Sequence, residues 1–263
     1  MDGYRIVDLS LPIKDGGGFL APARVTYIDH ERRGRLVAER AGLPLEALGG
    51  RANAMEEFTF LNTHTGTHMD APWHYGASVG DGSAPTIDQI PLDWCLGDGV
   101  RLDLCGMGPG EKIDREKIEG ALRRIDVTLK PRDIVLLYTG TAAHYGEPGC
   151  DGMNPGVTAE ATGWLGEQGI RLVGIDAGIW DRPVALQLAD LQAGREAGRY
   201  MEGHRAAGSH GMCILEWLTN LETLPPTGFL VAAFPVKIHR AGGAWVRAVA
   251  LIPEPKARPC AGA

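Results

Sequence analysis

Seven runs rich in apolar, β-branched and aromatic residues, at 5–11, 57–62, 100–104, 133–139, 171–176, 229–238 and 245–252, read as strands. Three stretches carry apolar positions at helical spacing beneath charged outer faces, at 31–41, 114–125 and 158–168. Asp114 and Thr158 stand where helix N-caps are needed, and Gly169 supplies a stop after the third helix. Strand and helix alternate in the middle of the chain while the end is strand-rich. That order predicts an α/β fold whose mixed sheet is partly barrel-like, with flanking helices. No internal repeat or low-complexity linker interrupts it, so a single domain over 1–263 is expected. Residues 254–263 read as a loose tail, because their prolines and small side chains neither pair nor pack.

Charge and composition narrow the partners. The 263 residues carry 26 Lys and Arg against 33 Asp and Glu, a formal charge of −7, and no basic run that could displace counterions from a nucleic acid. No apolar stretch approaches the ~20 residues that span a bilayer. The opening MDGYRIVDLS lacks the basic and apolar regions of a signal peptide, so a cytoplasmic protein with no membrane partner is expected. The five cysteines, Cys95, Cys105, Cys150, Cys213 and Cys260, are odd in number and form no CxxC pair, which suits reduced thiols. A chain of this length buries roughly three quarters of its unfolded surface, so folding does not require a structural metal.

The chemistry concentrates in HTGTHMDAPWH, from His64 to His74, which places three of the eight histidines and Asp70 within eleven residues. Extended backbone would hold His64 and His68 ~13 Å apart at ~3.3 Å per residue. A zinc-type ion holds each ligand at only ~2.0 to 2.2 Å. The backbone must therefore bend, and Gly66 is the residue able to take positive φ midway. The segment is expected to be a bent loop at a sheet edge, with Pro72 ending regular structure before His74. Imidazoles with a carboxylate form a borderline donor set suited to zinc, manganese, iron or cobalt.

A second cluster contains His204, His210 and Glu216. Glu216 falls inside the apolar run 212–218, where a carboxylate needs a pairing cation, hydrogen-bond donors or a metal.

These two clusters resemble the HxGTHxDxPxH signature of the cyclase-like metal-dependent hydrolases, among them bacterial kynurenine formamidases and isatin hydrolases. The resemblance extends to the opening VDLSLP at 7–12 and to Glu216 standing twelve residues after His204. It implies the cyclase-like α/β architecture, a homo-oligomer (dimer or tetramer), and one or two divalent ions, zinc or manganese. It also implies His64, His68, Asp70, His204 and Glu216 as metal ligands and His74 as the catalytic acid/base. The tryptophan-containing element of kynurenine formamidases is replaced by 14–22, and 31–50 adds a helical segment, which brings the chain closer to isatin hydrolases.

The implied activity is amidohydrolysis of a C–N bond other than a peptide bond, in a small aryl formamide or cyclic amide, by a metal-activated water. His74 would shuttle the proton, and Phe19, Trp73 and Tyr27 would wall an aromatic substrate pocket. The alternatives are a metal-dependent cyclase or dehydratase, kynurenine formamidase proper, or a non-enzymatic metal- or ligand-binding module, in which His74 would have no task.

Overall fold

The computed structural model describes residues 3–16, 23–195 and 199–254, with the side chain of Phe60 excepted. The tail expected at 254–263 therefore lies almost wholly outside the described residues, as does Phe19. In chain order the strands are β1 (Tyr4–Asp8), β2 (Arg24–Ile28), β3 (Met55–Phe60), β4 (His68–Asp70), β5 (Ser78–Val79), β6 (Gly82–Ser83), β7 (Leu96–Asp103), β8 (Lys112–Ile113), β9 (Ile134–Tyr138), β10 (Gly156–Val157), β11 (Leu172–Ile175), β12 (Cys213–Glu216), β13 (Phe229–Ala232), β14 (Gly243–Trp245) and β15 (Val249–Pro253). The α-helices are α1 (His30–Ala41), α2 (Pro72–Tyr75), α3 (Arg115–Arg124), α4 (Ala159–Glu167), α5 (Val184–Gln192) and α6 (Glu202–Ser209).

Nine strands form one mixed sheet in the order β1-β15-β13-β7-β9-β11-β12-β4-β14, curled into a half-barrel. Its parallel centre, β7-β9-β11-β12, is buried on both faces, as continuous apolar strands require. Within β9, Ile134 and Leu136 enter one core cluster, whereas Val135 and Leu137 face Ile118 and Leu122 of α3 and Ala161 and Leu165 of α4 in the other. The curl follows from the connection between β14 and β15. Seven inter-strand spacings of ~4.8 Å would separate them by ~34 Å in a flat sheet. Only residues 246–248 join them, a link that spans at most ~14 Å. The two ends of the sheet must therefore approach one another. For the same reason the single strand expected over 245–252 is two strands, with Arg247 between them fastened to Asp8 at 2.8 and 2.7 Å.

Local signals placed the helix starts. Asp114 accepts from the Lys117 amide at 3.0 Å and Thr158 from the Ala161 amide at 3.2 Å. Asp29 does the same for α1, accepting from Arg32 at 2.8 Å. The run expected at 229–238 is a strand only to Ala232. Beyond it, Pro235 makes an isolated bridge to Val246, and a residue without an N–H cannot extend a ladder. No helix among the described residues is long and apolar enough to cross a membrane. Cys95, Cys105, Cys150 and Cys213 are free thiols.

The loop that feeds β14 is fastened by Asp88, whose carboxylate accepts from Thr86 Oγ1 at 2.7 Å, the Arg240 amide at 3.1 Å and His239 Nδ1 at 3.2 Å. The Thr86 hydroxyl, followed by the other donors, lowers the Asp88 carboxyl to about 2. Because the folded value is depressed, this stabilisation is present above the unfolded value near ~4 and is lost as pH falls toward about 2. Asp88→Asn is expected to lower Tm at pH 7, and the gap from the parent protein should close by about pH 2. A gap independent of pH would show that the charge contributes nothing.

Candidate metal centre

The first donor segment bends where the chain allows it. Gly66 has φ of 67°, a conformation that costs an L-residue roughly 1–2 kcal/mol. Asn62 Oδ1 accepts from the His64 amide at 2.9 Å. Thr67 Oγ1 accepts from the Leu11 amide at 2.8 Å and donates to the carbonyl of Trp217. Gly66→Ala, whose added Cβ would also come within 3.3 Å of Ile13, is expected to cost about 1–2 kcal/mol. The loss is read as a lower denaturant midpoint at unchanged slope; an unmoved midpoint would mean that the bend relaxes freely.

Two expectations for this segment are corrected. After the bend, His68–Asp70 is not loop but strand β4, paired on both sides in the sheet: His68 lies opposite Glu216 and Trp245, and Asp70 opposite Ile214 and Gly243. The ladder on each flank supplies what a three-residue strand cannot supply alone. Pro72 does not end regular structure before His74; it occupies the first turn of α2, where the missing N–H is no loss.

The period-two alternation of β4 turns His68 and Asp70 to one face, and both are 1% exposed. Gly243 leaves that face open, since a Cβ there would lie 3.0 Å from both Asp70 Oδ1 and His64 Cε1. Glu216 ends β12, His204 rises from α6, His74 stands on α2 and His64 in the loop before β4, so five elements or loops converge on one point. The structure brings together all six of His64, His68, Asp70, His74, His204 and Glu216. His64 Nδ1 is 2.8 Å from Asp70 Oδ1, and His74 Nε2 is 3.9 Å from Asp70 Oδ2. The side chains of His64 and His74 are 30% and 34% exposed, which makes theirs the open side of the cluster.

The inner contacts are those of donors facing a common centre. His68 Nε2 lies 3.4 Å from Asp70 Oδ1 and 3.5 Å from Glu216 Oε2, and His204 Nε2 lies 3.6 Å from Asp70 Oδ2 and 3.4 Å from Glu216 Oε1. These separations exceed the usual hydrogen-bond range. They match the ~3.4 Å between ligands placed tetrahedrally ~2.1 Å from an ion. His68 Nε2 and both Asp70 oxygens are buried without a hydrogen-bond partner, because the neighbouring nitrogens are near but not aligned to donate. Two donor groups share Asp70: His68, Asp70 and Glu216 within, and His64, Asp70 and His74 toward the opening, each with ligand atoms within 4.8 Å. The residues present therefore fit one or two divalent ions.

Electrostatics point the same way. Burial alone would raise the Asp70 carboxyl, yet His68, then His204 and His64, hold it well below the usual range. Burial opposes charge on His204, but Asp181, Asp70 and Glu216 push it well above the ordinary histidine value. At His64 the Asp70 and Glu216 carboxylates likewise outweigh burial and raise it. The cluster thus draws in positive charge, and a divalent cation bound there displaces the protons. His74 differs: burial drives it down to about 4, so it is a neutral imidazole at pH 7.

The remaining histidine of the second cluster lies apart. The His210 ring packs on Gly163 and Gly166 of α4, where a Cβ at Gly166 would come within 2.5 Å of it. Trp73 is 44% exposed on α2 and Tyr27 is 57% exposed on β2, and neither belongs to the donor cluster. Trp217, adjacent to Glu216, meets Tyr145 at a centroid distance of 4.9 Å. Both border a cavity of 370 Å³ with Lys14 and Cys150. Asp181 escaped sequence reasoning because Arg182 follows it directly and the carboxylate does not stand inside an apolar run as Glu216 does.

A half-barrel sheet with two buried carboxylates and imidazoles inside it defines a cyclase-like α/β protein with a candidate metal centre. The family model described as putative cyclase matches residues 7–182, more than half of the chain, and the chain belongs to that family. Among solved structures it is similar to an isatin hydrolase bound to the product analogue thioisatinate, with a TM-score of 0.77 and 20% identity over 96% of this chain and 94% of that one. It is also similar to isatin hydrolase A from Labrenzia aggregata bound to benzyl benzoate, with a TM-score of 0.75 and 24% identity over 95% and 94% of the two chains. A potential metal-dependent hydrolase with cyclase activity matches with a TM-score of 0.65 and 22% identity over 96% of this chain and all of its own.

Proposed function

We propose that the protein is a metal-dependent hydrolase that opens a C–N amide bond of a small aryl formamide or cyclic amide, in the manner of the isatin hydrolases it resembles in fold. The observation that carries this reading is the buried donor set with unpartnered His68 Nε2 and Asp70 oxygens, whose His64 and His74 members are partly exposed. His64, His68, Asp70, His204 and Glu216 would hold the metal, zinc or manganese, as one or two ions. When bound, the metal supplies Lewis acidity and an acidified water.

The chain's own residues do the rest. His74, neutral and at the opening, accepts the proton of the attacking water at Nε2 and returns it to the leaving nitrogen. Asp70 lies 3.9 Å away and favours the transient imidazolium. The Tyr75 hydroxyl donates to the Asp70 carbonyl at 3.1 Å, holding α2 and therefore His74 against β4. Trp217, which follows Glu216 in the sequence, and Tyr145 give a separate cavity an aromatic wall of the kind an aromatic substrate would use.

The test is an assay of zinc- or manganese-loaded protein against isatin, N-formylkynurenine and simple cyclic imides. Metal-dependent turnover on at least one is expected, and none on any would overturn the substrate class. A cyclase or dehydratase reading is favoured by the family's own description, because the same centre can polarise a carbonyl without adding water. Oxygen-18 from solvent enters the product only in the hydrolytic reaction.

A further inference from the structure

We propose that Asp181 is a positioning residue for the metal centre: in the metal-loaded protein it would keep the His204 proton on Nδ1 and leave the Nε2 lone pair free on the side of Asp70 and Glu216. The inference rests on the metal reading above and adds an outer residue to it. Asp181 Oδ2 stands 2.5 Å from His204 Nδ1 and accepts from the His204 amide at 3.0 Å, while Oδ1 accepts from the Gly203 amide at 2.7 Å. The two amide bonds cap α6 from outside the helix. The third is not needed for a cap. An imidazole has two nitrogens and one proton when neutral, and a carboxylate acceptor at Nδ1 leaves Nε2 unprotonated. Protonated instead, Nε2 would aim an N–H where a ligand lone pair is required.

The support is shared with the second donor of this half of the chain. The Trp180 amide donates to Glu216 Oε1 at 2.8 Å. Residues 180 and 181 thus hold both Glu216 and His204, one through main chain and one through side chain. Their loop is itself fixed from behind: buried Asn154 donates to the carbonyls of Asp181 at 3.0 Å and Pro155 at 2.7 Å, and the Trp180 indole donates to Thr162 Oγ1 at 2.9 Å. Gly156 allows that closeness, since a Cβ there would fall 1.9 Å from the Arg182 nitrogen.

The test is zinc affinity by chelator competition, together with nitrogen-15 spectra of histidine in the zinc-loaded protein, for the parent, Asp181→Asn, Asp181→Ala and Thr162→Val. Asp181→Asn keeps one oxygen, enough for the Gly203 amide, and replaces the charged acceptor facing His204 with an NH2 group. Thr162→Val loosens the same loop without touching either donor. The parent should bind zinc with His204 protonated on Nδ1. Asp181→Asn should weaken binding about 10- to 100-fold, the usual cost of losing an outer partner. Asp181→Ala should weaken it at least as much, and Thr162→Val should lower Tm with zinc affinity unchanged. If Asp181→Asn behaves like Thr162→Val, Asp181 is only a cap and the proposal falls while the metal reading stands. If the parent binds no zinc, the metal reading fails and this proposal with it. Should Asp181→Ala not fold, Asp181→Asn and the histidine spectrum of the parent decide.

Discussion

Asp70→Asn is expected to leave a folded protein that retains almost no divalent metal, with metal-dependent turnover reduced by more than about 100-fold, the upper cost seen for outer partners alone. Asp70 is the residue common to both donor groups. Its Oδ1 faces His64 and His68 and its Oδ2 faces His204 and His74, so one carboxylate serves four imidazoles. The amide is nearly isosteric, and the main-chain pairings of β4 to β12 and β14 do not involve the side chain. What changes is charge and donor chemistry: one face of the amide presents N–H groups to nitrogens that now lack an anion. Elemental analysis after zinc or manganese loading reads the metal directly. A second readout is the metal-induced rise in Tm, which grows with ligand concentration over Kd in the parent and should vanish in the variant. Glu216→Gln should also lose metal, whereas His210→Ala, at the end of α6 with its ring against α4 and away from the centre, should keep it. Full metal content in Asp70→Asn, or equal losses in Glu216→Gln and His210→Ala, would overturn the ligand assignment.

How far this centre could be read from the chain depends on what holds each part of it. The bend at Gly66 was legible because two close histidines demand it and one residue type permits it. The continuous apolar runs at β9 and β11 were legible because a strand buried on both faces needs no alternation. Strand β4 was not, since three residues become a strand only when β12 and β14 flank them, and those flanks come from the far end of the chain. Helix α6, which carries His204, was hidden by its composition. Gly203 and Gly208 are poor helix residues, but each lies where a Cβ would come within 3.0 Å of a neighbour, Val157 O or Tyr75. The helix starts because Asp181 caps it from a distant loop, a tertiary signal invisible in the local pattern. The break between β14 and β15 was hidden for a similar reason: apolar residues continue through it, and only the closure of the sheet requires the chain to cross. Donor identity was therefore a local property of two motifs, while their convergence belonged to the fold.

His74→Ala is expected to keep near-normal metal while kcat falls about 10²- to 10⁴-fold, the usual contribution of general acid–base catalysis. The geometry separates His74 from the inner donors. It stands on α2, beyond the first-turn Pro72, with Nε2 3.9 Å from Asp70 against 2.8 Å for His64 Nδ1. Burial keeps it a neutral imidazole near pH 7, the form that accepts a proton from water. Its ring lies 4.2 Å from that of His64 and 6.0 Å, edge to face, from that of His204, so removing it opens space at the mouth of the cluster. Were His74 instead a ligand of the outer donor group, His74→Ala would lose up to one ion per chain along with activity. Were it only a packing residue against Tyr75, whose ring is 5.7 Å away, kcat would be nearly unchanged and Tm would fall. Metal stoichiometry and kcat measured on one preparation distinguish the three roles. Either metal loss or undiminished turnover would remove His74 from proton transfer, leaving His64, the other half-exposed imidazole of the opening, as the residue to test for that role.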